Sequence, residues 1–120
     1  MKYKSKFEQS FADDLKRREI NFKYEPVKFP YILEKNYIPD FILEGYDFII
    51  ETKVYFTPAD RAKLLAVRKM NPKVDIRLVF MNPYTKINSK SKTRYSDWCD
   101  KNGFKWANKN IPQAWLKERK

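Results

Sequence analysis

Residues 37–53 read YIPDFILEGYDFIIETK, and this stretch decides the fold. The first part, 37–43, is rich in apolar and aromatic residues and predicts a short strand. Residues 44–47 contain Gly45 and predict a turn. The run 48–55 begins with three consecutive apolar residues, which is typical of a central strand buried on both faces. Because the connection is short, we expect the two strands to form an antiparallel pair.

Three charged side chains fall inside this predicted pair. Glu51 and Lys53 are two residues apart on a strand, so they point to the same face, with Thr52 on the other. The antiparallel pairing brings Asp40 close to Glu51. Charges in an otherwise apolar strand are costly unless they are paired or bind a metal. Carboxylate oxygens without His or Cys ligands favour Mg²⁺, for which Mn²⁺ can substitute.

The sequence Pro39-Asp40, followed after ten intervening residues by Glu51-Thr52-Lys53, matches the PD-(D/E)xK nuclease motif. In such a site the carboxylates hold one or two divalent ions that activate water and stabilise both reacting oxygens of a phosphodiester. The lysine orients the nucleophile or neutralises charge developing on the phosphate. An acid on a preceding helix commonly completes the metal site, and Glu8 is the candidate. The alternative is a structural ion pair between Glu51 and Lys53, with Asp40 in solvent. We expect no organic cofactor.

The rest of the chain predicts further helices and strands. Phe7, Phe11 and Leu15 recur at helical spacing, and Thr57-Pro58-Ala59-Asp60 is a strong helix start. The predicted elements outside the first hairpin are helix 5–19, strand 20–31, helix 57–70, strand 74–80, helix 95–102 ended by Gly103, and a helical turn at 111–116. The order is α-β-β-β-α-β-α. It predicts one mixed α/β domain over residues 1–120, with a sheet of three to five strands.

Composition excludes several classes of protein. The 120 residues include one cysteine and no histidine. This rules out an intramolecular disulfide framework, Cys-rich zinc sites and any mechanism that needs an imidazole. The sequence shows neither an apolar run long enough to span a membrane nor a signal peptide, so we expect no membrane association. A lone thiol fits the reducing cytoplasm.

The charge distribution points to nucleic acid as a partner. The net charge is +11, and residues 81–120 carry 10 basic and 3 acidic side chains, so +7 of it lies in the last third. We name residues 82–93 the basic loop, because it holds lysines among Ser, Thr and Asn and no acid. A solvated loop without a partner is the alternative. The candidate DNA contacts are Lys86, Lys90, Lys92 and the adjoining Arg94, with Lys4 and Lys6, and with Arg61 and Lys63 as weaker candidates.

The sequence resembles the bacteriophage endonuclease I family, the junction-resolving nucleases of T-odd coliphages. The resemblance extends from about residue 6 to residue 118. Its segments are FE at 7–8, INFKYEPVKFPY at 20–31, YIPDF at 37–41, IETK at 50–53, DIRLVF at 75–80 and YSDWCDKNGFKWANKNIPQAW at 95–115. The catalytic residues of the family match Glu8, Asp40, Glu51 and Lys53 in this chain.

This resemblance implies an intertwined, domain-swapped homodimer with a restriction-endonuclease-like mixed sheet flanked by helices. Segment 1–31 of one chain would complete the site on Asp40, Glu51 and Lys53 of the other, with a bridge near 31–36. The implied activity is Mg²⁺-dependent resolution of four-way (Holliday) junctions and other branched DNA by a phage- or prophage-encoded enzyme in the host cytoplasm. The alternatives are a restriction- or repair-type nuclease of the same fold and a DNA-binding module without catalysis.

Overall fold

The computed structural model describes residues 2–120, in which four helices and four strands form. The chain divides into two compact units, one ending at Lys35 and one spanning Asn36–Lys120. The elements are α1 Lys6–Arg17, β1 Phe41–Ile42, β2 Phe48–Lys53, α2 Pro58–Met70, β3 Asp75–Phe80, α3 Tyr95–Asn102, β4 Lys105–Asn108 and α4 Gln113–Leu116. Only α1 belongs to the N-terminal unit. Across residues 2–120 no helix is both long and apolar enough to cross a membrane.

The N-terminal unit contains the predicted first helix but not the predicted first strand. The Ser5 hydroxyl accepts a hydrogen bond from the Glu8 amide at 3.0 Å and so begins α1. The expectation of a strand over 20–31 is wrong for this unit, because no strand forms there. Alternating side chains favour an extended backbone, but a strand also requires a neighbour for its N–H and C=O groups, and the described part of this unit contains no such neighbour.

The C-terminal unit is built on a mixed sheet with the strand order β1-β2-β3-β4. The predicted antiparallel pair is confirmed, since Phe41 faces Ile50 and Ile42 faces Ile49 across β1 and β2. Strand β3 is parallel to both β2 and β4. Strand β1 is shorter than the predicted 37–43. Pro39 has no N–H to donate. The Asp40 side chain accepts the hydrogen bond from the Thr52 amide that the backbone of a longer β1 would otherwise accept.

The helices of this unit follow their sequence signals. Thr57 and Asp60 cap α2 reciprocally, with the Asp60 amide 3.1 Å from Thr57 Oγ1 and the Thr57 amide 3.0 Å from Asp60 Oδ2. Gly103 ends α3 in the left-handed conformation, with φ of 76°. The helical turn predicted at 111–116 is confirmed as α4. The sequence does not predict strand β4, because the four residues KWAN are too few to show a clear alternation of apolar and polar side chains.

Apolar side chains cover both faces of the sheet. One cluster joins Leu64 of α2 and Cys99 of α3 to Leu78 of β3, and Ile49 of β2 packs against it. The other joins Phe48 and Ile50 of β2 to Trp115 of α4. Side chains alternate along β2, so Glu51 and Lys53 lie on the α2–α3 face with Ile49. Cys99 is wholly buried, and burial raises the pKa of its thiol to about 12, so it acts as a small packing residue of this core.

A buried arginine joins the segment that follows α4 to the sheet. Arg77 is 2% exposed and pairs with Glu118 through two hydrogen bonds of 2.7 and 2.8 Å. It also pairs with Asp75 at 2.7 Å, and its guanidinium lies 4.0 Å from the centre of the Phe48 ring. Such a charge is tolerated in a core because every side of it is compensated. The contact attaches the C-terminal segment to the face of the sheet opposite Glu51.

Candidate active site

At the end of β2 the structure pairs Lys53 with Glu51 and holds Asp40 on Thr52, the residue between them. Continuing the β1–β2 register by one residue places Asp40 opposite Glu51. Lys53 Nζ lies 3.4 Å from Glu51 Oε2. The contact between Glu51 and Lys53 that strand alternation predicts is therefore present in the fold, and Asp40 lies one residue beyond the last pair of the predicted hairpin.

Asp40 is held by one residue of β2. Its Oδ2 accepts hydrogen bonds from both the Thr52 amide and Thr52 Oγ1, each at 2.9 Å. The side chain of Asp40 is exposed, and Oδ1 accepts no hydrogen bond within residues 2–120. Asp40 thus has a fixed carboxylate with one oxygen directed at solvent and available to a ligand.

Glu51 is buried, with 8% of its surface exposed, and its two oxygens have different partners. Oε1 accepts a hydrogen bond from the Tyr37 hydroxyl at 3.1 Å, and Oε2 lies near Lys53. Burial, and then the charge of Glu51, raise the pKa of Tyr37 well above its usual value, so its hydroxyl remains a donor. From the sequence, Tyr37 is predicted only as a strand residue, because nothing in its position three residues before Asp40 indicates that its side chain reaches Glu51.

Lys53 lies between two carboxylates. Besides Glu51 it contacts Asp60, with Nζ 3.2 Å from Oδ1. Burial by itself lowers the pKa of Lys53, but the hydrogen bond to Asp60 and the two negative charges outweigh it, so the pKa is raised and the ammonium stays charged. The sequence predicts Asp60 only as part of the cap of α2. Its second oxygen does cap α2, and the first reaches Lys53.

Glu8 belongs to the N-terminal unit, whereas Asp40, Glu51 and Lys53 belong to the C-terminal unit. Its Oε1 accepts hydrogen bonds from the Lys4 amide and the Tyr24 hydroxyl, both at 2.8 Å. The candidate fourth site residue is therefore well ordered by its own unit, in an arrangement that resembles the Tyr37–Glu51 pair.

The sequence matches the model of the family described as phage endonuclease I over residues 1–120. The chain belongs to this family. It is 39% identical over 121 residues to "Endonuclease I" of Escherichia phage T7, covering 98% of this chain and 80% of that protein. It is also 39% identical over 121 residues to "Endodeoxyribonuclease 1" of Enterobacteria phage T3, covering 98% of this chain and 79% of that protein. Membership of the endonuclease I family makes the protein a nuclease.

The donor set of this family member fits an oxygen-preferring divalent cation. Asp40 contributes a free Oδ1, and Glu51 Oε2 has only a long contact to Lys53. Among residues 2–120, no three or more His, Cys, Asp or Glu side chains lie close enough together to hold an ion. Two carboxylates of the C-terminal unit would therefore bind such an ion incompletely, and further oxygens would be needed from water, the substrate or another carboxylate.

The basic loop is ordered by its backbone while its lysines face solvent. The Ile87 amide donates to the Thr93 carbonyl at 2.9 Å, and Lys86 pairs with Arg94 in an isolated antiparallel bridge. Lys86, Lys90, Lys92 and Arg94 are all exposed. No ion pair engages them in the part of the chain that the structure describes.

The remaining basic candidates differ in whether their side chains already contact other groups of the protein. Lys4 Nζ pairs with Glu25 at 2.7 Å, whereas Lys6 is exposed at the start of α1. Arg61 donates to the Phe56 carbonyl at 2.7 Å. Lys63 Nζ lies 5.5 Å from the centre of the Tyr37 ring. Lys4 and Arg61 thus already have partners within the protein.

Proposed function

We propose that this nuclease is a structure-selective, metal-dependent endodeoxyribonuclease that hydrolyses phosphodiester bonds at four-way junctions and other branched DNA. One observation supports the proposal most: a buried Glu51 paired with Lys53, and Asp40 bonded to Thr52 between them, in a chain of net charge +11 that belongs to the phage endonuclease I family. The names of the T7 and T3 relatives, an endonuclease and an endodeoxyribonuclease, support DNA as the substrate.

Asp40 and Glu51 would hold one or two Mg²⁺ ions, for which Mn²⁺ can substitute, and Glu8 would complete the set. When bound, such ions activate water and stabilise the attacking and leaving oxygens of a phosphodiester. Thr52 orients Asp40, so this ligand is preorganised before substrate arrives. Lys53 supplies a fixed positive charge at the reacting phosphate, because its ammonium is held between Glu51 and Asp60.

The enzyme would act as an intertwined homodimer of restriction-endonuclease-like fold, in which Glu8 of one chain serves the site of the other. Exposed apolar side chains of the N-terminal unit support this arrangement. Phe29, Tyr31 and Ile32 are 84%, 81% and 94% exposed, and Phe7 of α1 is 74% exposed. Apolar surface of this extent marks an interface in soluble proteins. Segment 20–31 would find the missing strand partners in the dimer.

A two-fold dimer suits a branched substrate, because two identical sites can nick two symmetrically related strands. The exposed lysines of the basic loop, with Arg94, Lys6 and Lys4, would contact DNA phosphates, which position a duplex without reading its sequence. We place the enzyme in the bacterial cytoplasm, encoded by a phage or prophage.

The test compares a labelled four-way junction with a linear duplex of the same sequence, each with Mg²⁺ and with EDTA. We expect cleavage of the junction with Mg²⁺, little cleavage of the duplex, and none in EDTA. Ca²⁺ should support binding without efficient cutting. Asp40→Asn is the matched control, since it keeps the side-chain size and removes the charge.

Each unexpected result excludes a stated part of the proposal. Equal cleavage of both substrates would favour a restriction- or repair-type nuclease. Binding of the junction without cleavage under any metal condition would favour a DNA-binding module. Cleavage in EDTA would exclude the two-carboxylate mechanism.

A further inference from the structure

The Tyr37 hydroxyl is directed at a buried charge. It donates to Glu51 Oε1 at 3.1 Å, and its half-buried ring packs against the core cluster of the α2–α3 face. Phenylalanine would fill the same space in that core. The hydroxyl therefore contributes chiefly to the carboxylate it contacts.

The segment from Tyr37 to Asp40 is short and stiff. Pro39 fixes its own φ near −65° and restricts Ile38 to extended conformations. One end of this tetrapeptide bonds to Glu51 and the other end to Thr52, the next residue of β2. The two hydrogen bonds together set the position of Asp40 relative to the Glu51 carboxylate.

Tyr37 also determines which oxygen of Glu51 is available. With Oε1 occupied by the hydroxyl, only Oε2 faces Lys53, at 3.4 Å. Without the hydroxyl, the ammonium would be the strongest partner in reach, and the carboxylate would be free to rotate towards it. A cation that demands near-ideal octahedral geometry gains little from a ligand in the wrong orientation.

We propose that Tyr37 is a positioning residue that holds the Glu51 carboxylate in the orientation needed to bind a divalent cation beside Asp40. This inference rests on the proposed function, and it goes beyond the four matched residues by assigning a role in metal affinity to a side chain that touches neither metal nor substrate. In the N-terminal unit, the Tyr24 hydroxyl donates to the Glu8 carboxylate at 2.8 Å in the same way.

The test is Tyr37→Phe in the full-length protein, with Tyr46→Phe as the matched control. Tyr46 is a half-buried tyrosine of the same unit, whose hydroxyl donates to the Leu116 carbonyl at 2.9 Å, so its loss removes a hydrogen bond without reaching the carboxylates. Mn²⁺ affinity is measured without DNA by the electron paramagnetic resonance signal of free Mn²⁺. Loss of a hydrogen-bond partner of a metal ligand costs about 10- to 100-fold in metal affinity or activity.

We expect Tyr37→Phe to weaken Mn²⁺ binding by about tenfold, at the lower end of that range because Glu51 and Asp40 remain. The Mn²⁺ concentration for half-maximal junction cleavage should rise in parallel, and the rate should recover at saturating Mn²⁺. Tyr46→Phe should change neither quantity. In a Glu51→Gln background, Tyr37→Phe should cause no further loss of Mn²⁺ affinity, because the residue through which it acts is already altered.

Several outcomes overturn the inference. Parental Mn²⁺ affinity in Tyr37→Phe refutes the role of Tyr37 while leaving the proposed function intact. An equal loss in Tyr46→Phe shows a general loss of structure instead of positioning. Failure of the unmodified protein to bind Mn²⁺, together with cleavage in EDTA, refutes the metal-dependent function itself and this inference with it.

Discussion

Replacing Lys53 with methionine removes the ammonium but keeps most of the side-chain volume. Nζ lies 3.4 Å from Glu51 Oε2 and 3.2 Å from Asp60 Oδ1, and the side chain is 19% exposed. The substitution therefore removes the cation that lies between these two carboxylates, where the proposed mechanism places the reacting phosphate. We expect a large loss of cleavage rate and a small loss of DNA affinity.

The magnitude follows from the position of the charge. A unit charge about 4 Å from another is worth about 4 kcal/mol at an effective dielectric constant near 20, which is an upper bound for a partly solvated site. Removing one preorganised donor from a developing oxyanion costs about 10²- to 10³-fold in rate. We therefore expect Lys53→Met to lose on the order of 10²-fold in cleavage of the saturated complex. Interactions that strengthen only as charge develops lower turnover, while uniform phosphate contacts lower affinity.

The assay is single-turnover cleavage of a labelled four-way junction at saturating enzyme, with junction affinity measured separately in Ca²⁺. Circular dichroism at the assay temperature checks that the variant is folded, because Glu51 and Asp60 lose their shared partner. Lys69→Met is the matched control: it removes the same charge from the last turn of α2, about 13 Å along the helix from Asp60. Retention of cleavage within a few-fold of the parent, or equal losses of affinity and cleavage, would refute the catalytic role of Lys53.

Three further predictions test other parts of the molecule. Mixing unfolded Glu8→Ala and Asp40→Ala chains and refolding them together should restore nicking, because in the proposed swapped dimer one site of each heterodimer would have every carboxylate; activity no higher than that of either parent variant excludes a shared site. Replacing the three basic-loop lysines with alanine should weaken junction binding and reduce the slope of log K against log salt by about 0.9 per lost phosphate contact, with little change in the saturated cleavage rate; an unchanged slope means that the loop is only solvated. The hydrogen bond from Arg77 lowers the pKa of Glu118, so its contribution to stability is complete above the unfolded value near 4.3 and is lost as pH falls through the lower folded pKa. Thermal melts should thus separate the parent from Glu118→Gln at pH 7, and the separation should narrow as the pH falls below about 4; a constant separation contradicts this linkage.

The sequence by itself determined the features whose causes are local. The alternation around Glu51 and Lys53 placed both on one face, and the turn at Gly45 predicted the antiparallel pairing that brings Asp40 opposite Glu51. The caps of α2 and α3 were also predictable, because Thr57 and Gly103 act on backbone within a few residues of themselves. The family motif depends on these same short-range relations, so the candidate site was visible before the fold was known.

Only the tertiary structure decided the contacts between distant segments. Tyr37 reaches Glu51, and Asp60 reaches Lys53, because the turn before β2 and the connection to α2 return these residues to the end of one strand. Strand β4 exists because β3 offers it a parallel edge, whereas the alternating segment 20–31 has no partner in the described part of its own unit and forms no strand. The physical reason is the same in each case. A side-chain pattern sets the local backbone conformation, but hydrogen bonds and ion pairs form only where the fold supplies the second partner.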